Sequence, residues 1–135
     1  MKTVIIDTNV FVSALISPHG VSAKFVNELS DGKYQLAFNS QILCEYLEVL
    51  SRKKFGFSRE EIDEFQEIIE SQEEIEGVVF DDFKLPDEDD RIFIEAALAT
   101  RDKIIITGNT KHYPNPLMKK LGIKVLSPAE ALKVL

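Results

Sequence analysis

Apolar residues recur along this chain with two spacings. Short, nearly continuous runs occupy residues 3 to 6 (Thr3, Val4, Ile5, Ile6), 35 to 38 (Gln35, Leu36, Ala37, Phe38), 78 to 80 (Val78, Val79, Phe80), 104 to 107 and 124 to 126. Runs of this length, several rich in β-branched residues, read as buried strands of a parallel sheet. Between them the spacing lengthens to three and four. A helical stretch follows the first run, breaks at Ser17, Pro18, His19 and Gly20, and resumes over about residues 21 to 29. Ser40 is placed to cap a helix reaching about Lys53, with Leu43, Leu47 and Leu50 at buried-face spacing. Ser58 and Glu61 match a capping box, and the helix they open carries Ile62, Phe65 and Ile69 on one face and mostly glutamates on the other. Residues 92 to 99 form a helix with a small-residue face suited to close packing on a sheet. Ser127, Pro128 and Glu130 open a last helix. Strands alternating with helices predict a doubly wound α/β fold, a three-layer α/β/α sandwich with a five-stranded parallel sheet.

The chain has 135 residues, enough for one domain with a real core and too few for two. No repeat, linker or low-complexity tract divides it, so residues 1 to 135 are expected to form a single domain. An apolar content of 44% with 29% charged residues is ordinary for a globular protein. No apolar run approaches the ~18–20 residues that span a bilayer. The N-terminal residues show no secretory pattern, and Cys44 is the single cysteine, so no internal disulfide forms. A cytoplasmic location is the expectation.

The net charge of −7 argues against a nucleic-acid partner until its distribution is followed. Residues 58 to 90 carry fifteen acids and two bases, whereas the remainder carries eight acids and fourteen bases. One strongly acidic segment thus sits on a moderately basic body. Arg52, Lys53 and Lys54, then Lys111 with His112, then Lys119 and Lys120, are its basic clusters. Each is either solvated surface or part of a phosphate-attracting face.

Candidate chemistry comes from where the polar residues fall against the strands. Asp7 closes the first run, and Thr107, Gly108 and Asn109 close the fourth. Ligands of open α/β sheets bind beyond the carboxyl ends of the strands. Glu45 lies in the helix after the second run, and Asp89 and Asp90 precede the alanine-rich helix. Asp90 shares a face with Phe93 and Ala97, which directs it inward more than Asp89. Acids gathered there suggest a divalent cation, since hard ions take oxygen ligands. Asn109 offers a carbonyl oxygen or an amide that fixes a water, and Thr107 a nearby hydroxyl. Asn9 and Glu95 are candidates to support the ligands. Each residue also has a plainer reading: Asp7 and Asp90 as helix-start acids, Glu45 and Glu95 as surface charge, Asn109 as a turn residue.

At these residues the chain resembles a PIN-domain nuclease. The resemblance rests on Asp7-Thr8-Asn9 followed by Val10-Phe11, and on Glu45 before Val49-Leu50 and Ser51-Arg52-Lys53-Lys54-Phe55. It continues through Asp87-Glu88-Asp89-Asp90 before residues 92 to 97, and Ile106-Thr107-Gly108-Asn109. Lys111-His112-Tyr113-Pro114 and Val125-Leu126-Ser127-Pro128 resemble the branch that includes toxins of toxin–antitoxin systems. The resemblance implies a five-stranded parallel sheet, a ribonuclease site dependent on Mg²⁺ or Mn²⁺, and frequent homodimers. By position, Asp7, Glu45 and Asp90 match the acidic metal ligands, with Asp89 competing for the third place. Asn109 is a departure, because many relatives have aspartate there.

The resulting expectation is a metal-dependent endoribonuclease, the toxin of a type II toxin–antitoxin pair held by a cognate antitoxin. Asp7, Glu45, Asp90 and Asn109 would be its catalytic residues. The alternative is a PIN-like module that binds RNA or protein with little catalysis. A phospho-accepting domain fits less well, because Asp7-Thr8-Asn9 lacks the second acid of an Asp-x-Asp pair. A dinucleotide fold fits least, because no Gly-x-Gly-x-x-Gly follows the first strand.

Overall fold

The computed structural model describes residues 1–77, 79 and 83–135. It contains strands β1 (Thr3–Ile6), β2 (Gln35–Phe38), β3 (Glu73–Glu74), β4 (Ile104–Ile106) and β5 (Lys124–Leu126). The helices are α1 (Thr8–Ile16), α2 (Val21–Ser30), α3 (Ser40–Leu50), α4 (Arg59–Glu70), α5 (Arg91–Leu98), α6 (Asn115–Leu121) and α7 (Pro128–Val134). All strand pairs are parallel, and the sheet order is β3-β2-β1-β4-β5. Helices flank the sheet in the α/β/α arrangement that the alternating pattern predicts.

The sheet's centre is apolar throughout. Val4, Ile5, Ile6, Leu36, Ala37, Ile105 and Ile106 are fully buried. This explains why the runs are continuous rather than alternating: helices cover both faces of a parallel sheet. The sequence proceeds outward from β1 through β2 to β3, then returns to β4 on β1's other side. The strand order therefore reverses between β1 and β4, where folds of this type open a crevice beyond the strand ends.

β3 and α3 differ from the sequence expectation. The apolar run 78 to 80 was the expected third strand, and residues 78 and 80 lie outside the described residues. The third strand is instead Glu73–Glu74, with both side chains exposed. It pairs with Ala37 and Phe38 at the sheet's edge, and the Ile75 amide donates to the Phe38 carbonyl. Its position is set by backbone pairing rather than side-chain burial. The helix expected to reach Lys53 stops at Leu50, and Lys53–Phe55 form a separate 3-10 turn. Its cap is Asn39, whose side chain accepts from the Ile42 amide, so Ser40 becomes the first helical residue. The fully buried positions of α3 are Ile42, Tyr46 and Leu50, with Leu43 and Leu47 half-buried beside them.

No helix among the described residues is long and apolar enough to cross a membrane.

Candidate functional site

A cleft of about 340 Å³ opens beyond the carboxyl ends of β1 and β4. Asp7, Asn9, Glu45, Asp87, Asp89, Asp90 and His112 line it, with Arg52 and Phe55 at its border. Five carboxylates drawn from three separated stretches of chain thus share one opening.

Asp7 follows the last residue of β1 and begins α1. It is buried, and its side chain does not cap the helix it precedes. Its Oδ2 instead accepts from the Thr107 hydroxyl at 3.0 Å and the Tyr113 hydroxyl at 2.9 Å. Burial nevertheless raises the Asp7 carboxyl's affinity for its proton, opposed by those two hydrogen bonds. Burial, together with the negative field of Asp7 and Asp90, pushes the Tyr113 phenol far up, so it stays a donor.

Thr107 knits the two strand ends together. Its oxygen accepts from the Asn9 amide at 3.3 Å and from the Asn109 backbone at 3.1 Å, while Asn9 Oδ1 accepts from the Gly108 amide at 2.8 Å. Asn9 and Thr107 thereby hold the crevice edge around Asp7. A Cβ on Gly108 would sit 3.2 Å from Asn9 Oδ1, which explains the small residue there.

Glu45 reaches the cleft because α3 is pinned above β1. Its neighbour Tyr46 is fully buried and donates its hydroxyl to the Ile6 carbonyl. The Tyr46 ring meets Phe11 and Phe65 edge to face, at centroid distances of 5.0 and 5.8 Å. With Tyr46 turned into the core, Glu45 is turned towards α1, where Thr8 Oγ1 donates to its Oε2 at 2.7 Å. Glu45 is therefore a cleft residue and not a solvated decoration of the helix.

Asp90 is buried, with 7% of its surface exposed, at the start of α5. Its Oδ2 has no hydrogen-bond partner, although His112 Nδ1 lies 3.3 Å away outside hydrogen-bonding geometry. Burial and the negative field of Asp7 push this carboxyl up to about 7, against the opposing influence of His112. Asp89 is exposed and also lines the cleft. Glu95 does not: five residues along a helix rotate a side chain about 140° away from Asp90.

Asn109 departs from expectation in its direction. Its amide lies 2.9 Å from His112 Nε2, and it is not among the cleft-lining residues. Asn109 thus reaches the site through His112.

The tightest donor group among the described residues is Asp87, Asp90 and His112, whose ligating atoms lie within 4.8 Å of one another. Asp87 and His112 were visible in the sequence only as members of an acidic stretch and a basic cluster. The 3-10 turn Thr110–His112 delivers His112 across the cleft, a placement no local spacing encodes. The donors fit a hard divalent cation. They are mostly carboxylate oxygens, and one of them, Asp90 Oδ2, is buried and unsatisfied. Without a cation, like charges this close repel or take up protons, and the field of Asp7 adds to burial in raising Asp90.

The PIN-domain family model matches residues 3–111, which spans every strand but β5 and every cleft residue except His112. The search of curated proteins returned no match.

Proposed function

This chain belongs to the PIN-domain family, and we propose that within it the protein is an endoribonuclease. PIN domains are generally metal-dependent nucleases, and this cleft's acids and histidine suit a divalent metal. The observation that carries the proposal is the buried, unpartnered Asp90 Oδ2 facing a cleft shared with Asp7 and Glu45.

Asp90, Asp87 and His112 would hold a Mg²⁺ or Mn²⁺ ion, with Asp7 and Glu45 lining the same cleft. Such an ion, when bound, polarises the phosphodiester, lowers the pKa of a water and neutralises charge on the leaving oxygen. Tyr113 and Thr107 fix Asp7 through its Oδ2. Thr8 fixes Glu45 through its Oε2. His112, held at Nε2 by Asn109, presents Nδ1 to Asp90 and softens the negative field there. Arg52 also lines the cleft, within the negative field of Glu45 and Asp89.

The biological role we propose is that of a toxin of a type II toxin–antitoxin pair, acting in the cytoplasm as a homodimer and restrained by a cognate antitoxin. The toxin-like Lys111-His112-Tyr113-Pro114 segment supports this, since it supplies His112 to the cleft and the Tyr113 hydroxyl to Asp7. A binding module with little turnover is the second reading. The engagement of Asn109 with His112, rather than with the cleft, favours it.

Purified protein incubated with RNA and Mn²⁺ separates the two. The nuclease reading expects cleavage products that disappear with chelator. It also expects Asp7→Asn to reduce cleavage to background while circular dichroism shows an intact fold. Undiminished cleavage by that variant overturns the role of Asp7. RNA binding that persists in chelator, with no products under any divalent ion, establishes the binding module.

A further inference from the structure

The cleft's border carries an aromatic residue that the core does not need. Phe55 ends the 3-10 turn after α3 and lines the cleft. Phe57, two residues on, packs against the hydrophobic core, whereas Phe55 is not part of that packing. The Phe55 ring instead lies on Phe57, with centroids 5.7 Å apart and planes 14° from parallel. Gly56, between them, has φ +67°, the left-handed conformation that lets the chain double back and stack the rings.

Cations precede this ring in the chain, and one of them lies over it. Lys54 Nζ lies 5.1 Å from the Phe55 centroid. Arg52 is paired with Glu48 at 2.8 Å, and the negative field of Glu45 and Asp89 also reaches it. Lys53 and Lys54 are exposed, and neither has an ion-pair partner among the described residues. A half-buried aromatic ring backed by a second ring, with the Lys54 ammonium over it and the exposed Lys53 next in the chain, has the features of a stacking platform for nucleobases once that ammonium moves to a phosphate. Single-stranded nucleic acid is held by that combination: cations along the backbone and aromatic faces under the bases.

We propose that Phe55, backed by Phe57, stacks a base of single-stranded RNA beside the acidic cleft, with Lys53 and Lys54 receiving the flanking phosphates. The proposal rests on the nuclease reading for the kind of strand that lies in the cleft. It assigns the contact that holds a base of that strand, because a paired duplex has its base faces covered and offers none to the ring. It also accounts for the basic cluster lying next to so acidic an opening. A polyanion approaching those carboxylates needs an attachment outside their repulsive field.

The chain contains no tryptophan, so Phe55→Trp installs a single indole fluorophore at the platform. Binding is measured with Ca²⁺ in place of Mn²⁺, using a short mixed-sequence single-stranded oligoribonucleotide and a fully paired duplex of the same sequence. The expected result is that the single strand quenches the indole emission of Phe55→Trp and the duplex does not. Phe55→Leu keeps an apolar side chain without a π face. It should keep the wild-type melting temperature and lose about tenfold in single-strand affinity. Phe55→Trp should retain that affinity. Wild-type affinity in Phe55→Leu, or no quenching of Phe55→Trp, overturns the proposal and leaves the ledge to a protein partner. Equal quenching by the duplex overturns the single-strand preference. None of these readouts requires turnover, so they stand if cleavage is never observed, and normal cleavage without quenching would sink the platform alone.

Discussion

Asp90 illustrates how one side chain can be costly to the fold and useful to the site. An aspartate in an unfolded chain ionises near pH ~4. In the folded protein burial and Asp7 hold Asp90 protonated up to about 7. Between those values the folded state binds a proton that the unfolded state has released. Stability therefore falls as pH rises across that window, and above it the full penalty of an ionised, unpartnered carboxylate is present. The magnitude is on the order of a few kcal/mol. Asp90→Asn removes the titration. In chelator, its melting temperature should exceed the wild type's at pH 8, and the advantage should shrink towards pH 5. A constant difference across that range would show that Asp90 is not the titrating group. Asp7 moves in the same direction, also through burial, but Tyr113 and Thr107 donate hydrogen bonds to it where Asp90 Oδ2 accepts none.

At the scale of elements, most of the fold was legible because its signals are local. The β2 run, the break between α1 and α2, and the capping boxes of α4 and α7 all lie where the side chains announce them. What was not legible depends on partners far away in sequence. β3 is two exposed glutamates that become a strand only because Phe38 offers them an edge. α6 follows Pro114 and was not foreseen, since its seven residues bury only Met118 completely. Of the candidate site, Asp7, Glu45 and Asp90 could be read from their positions against strands and helices. His112 could not, because its role is fixed by a turn that brings it to Asp90, 22 residues earlier in the chain. The same distinction between local and distant supports predicts different mutational costs. Ser127→Ala deletes a cap on α7, which carries no cleft residue, and should cost about 1 kcal/mol with cleavage unchanged. Tyr46→Phe keeps the ring packing but removes a buried hydrogen bond between α3 and β1. It should cost about 1–3 kcal/mol. Urea titrations should show both as lower midpoints with unchanged slopes.

For the molecule as a whole, the cleft is where separate parts of the chain meet. Asp7 comes from the first strand, Glu45 from α3, Asp87 and Asp90 from the end of the acidic segment, and His112 from the turn after β4. Their mutual repulsion opposes folding, and the acidic segment's balance of fifteen acids to two bases adds to it. A cation bound among these groups in the folded state, and not in the unfolded chain, stabilises every element that contributes a ligand. At one hundred times its dissociation constant the stabilisation is about 2.7 kcal/mol. For a chain of this size a gain of that order raises the melting temperature by roughly 5–15 °C. Titrating Mn²⁺ into protein at pH 8, with melting followed by circular dichroism, should therefore give a concentration-dependent upward shift. Asp90→Asn should start from a higher midpoint and respond far less, because it lacks both the repulsion and the oxygen that relieves it. An equal response in the two proteins would place the cation elsewhere, away from the buried carboxylate. A wild-type response confined to pH values above about 7 would tie binding to the ionised form of Asp90, the state that the unliganded fold resists.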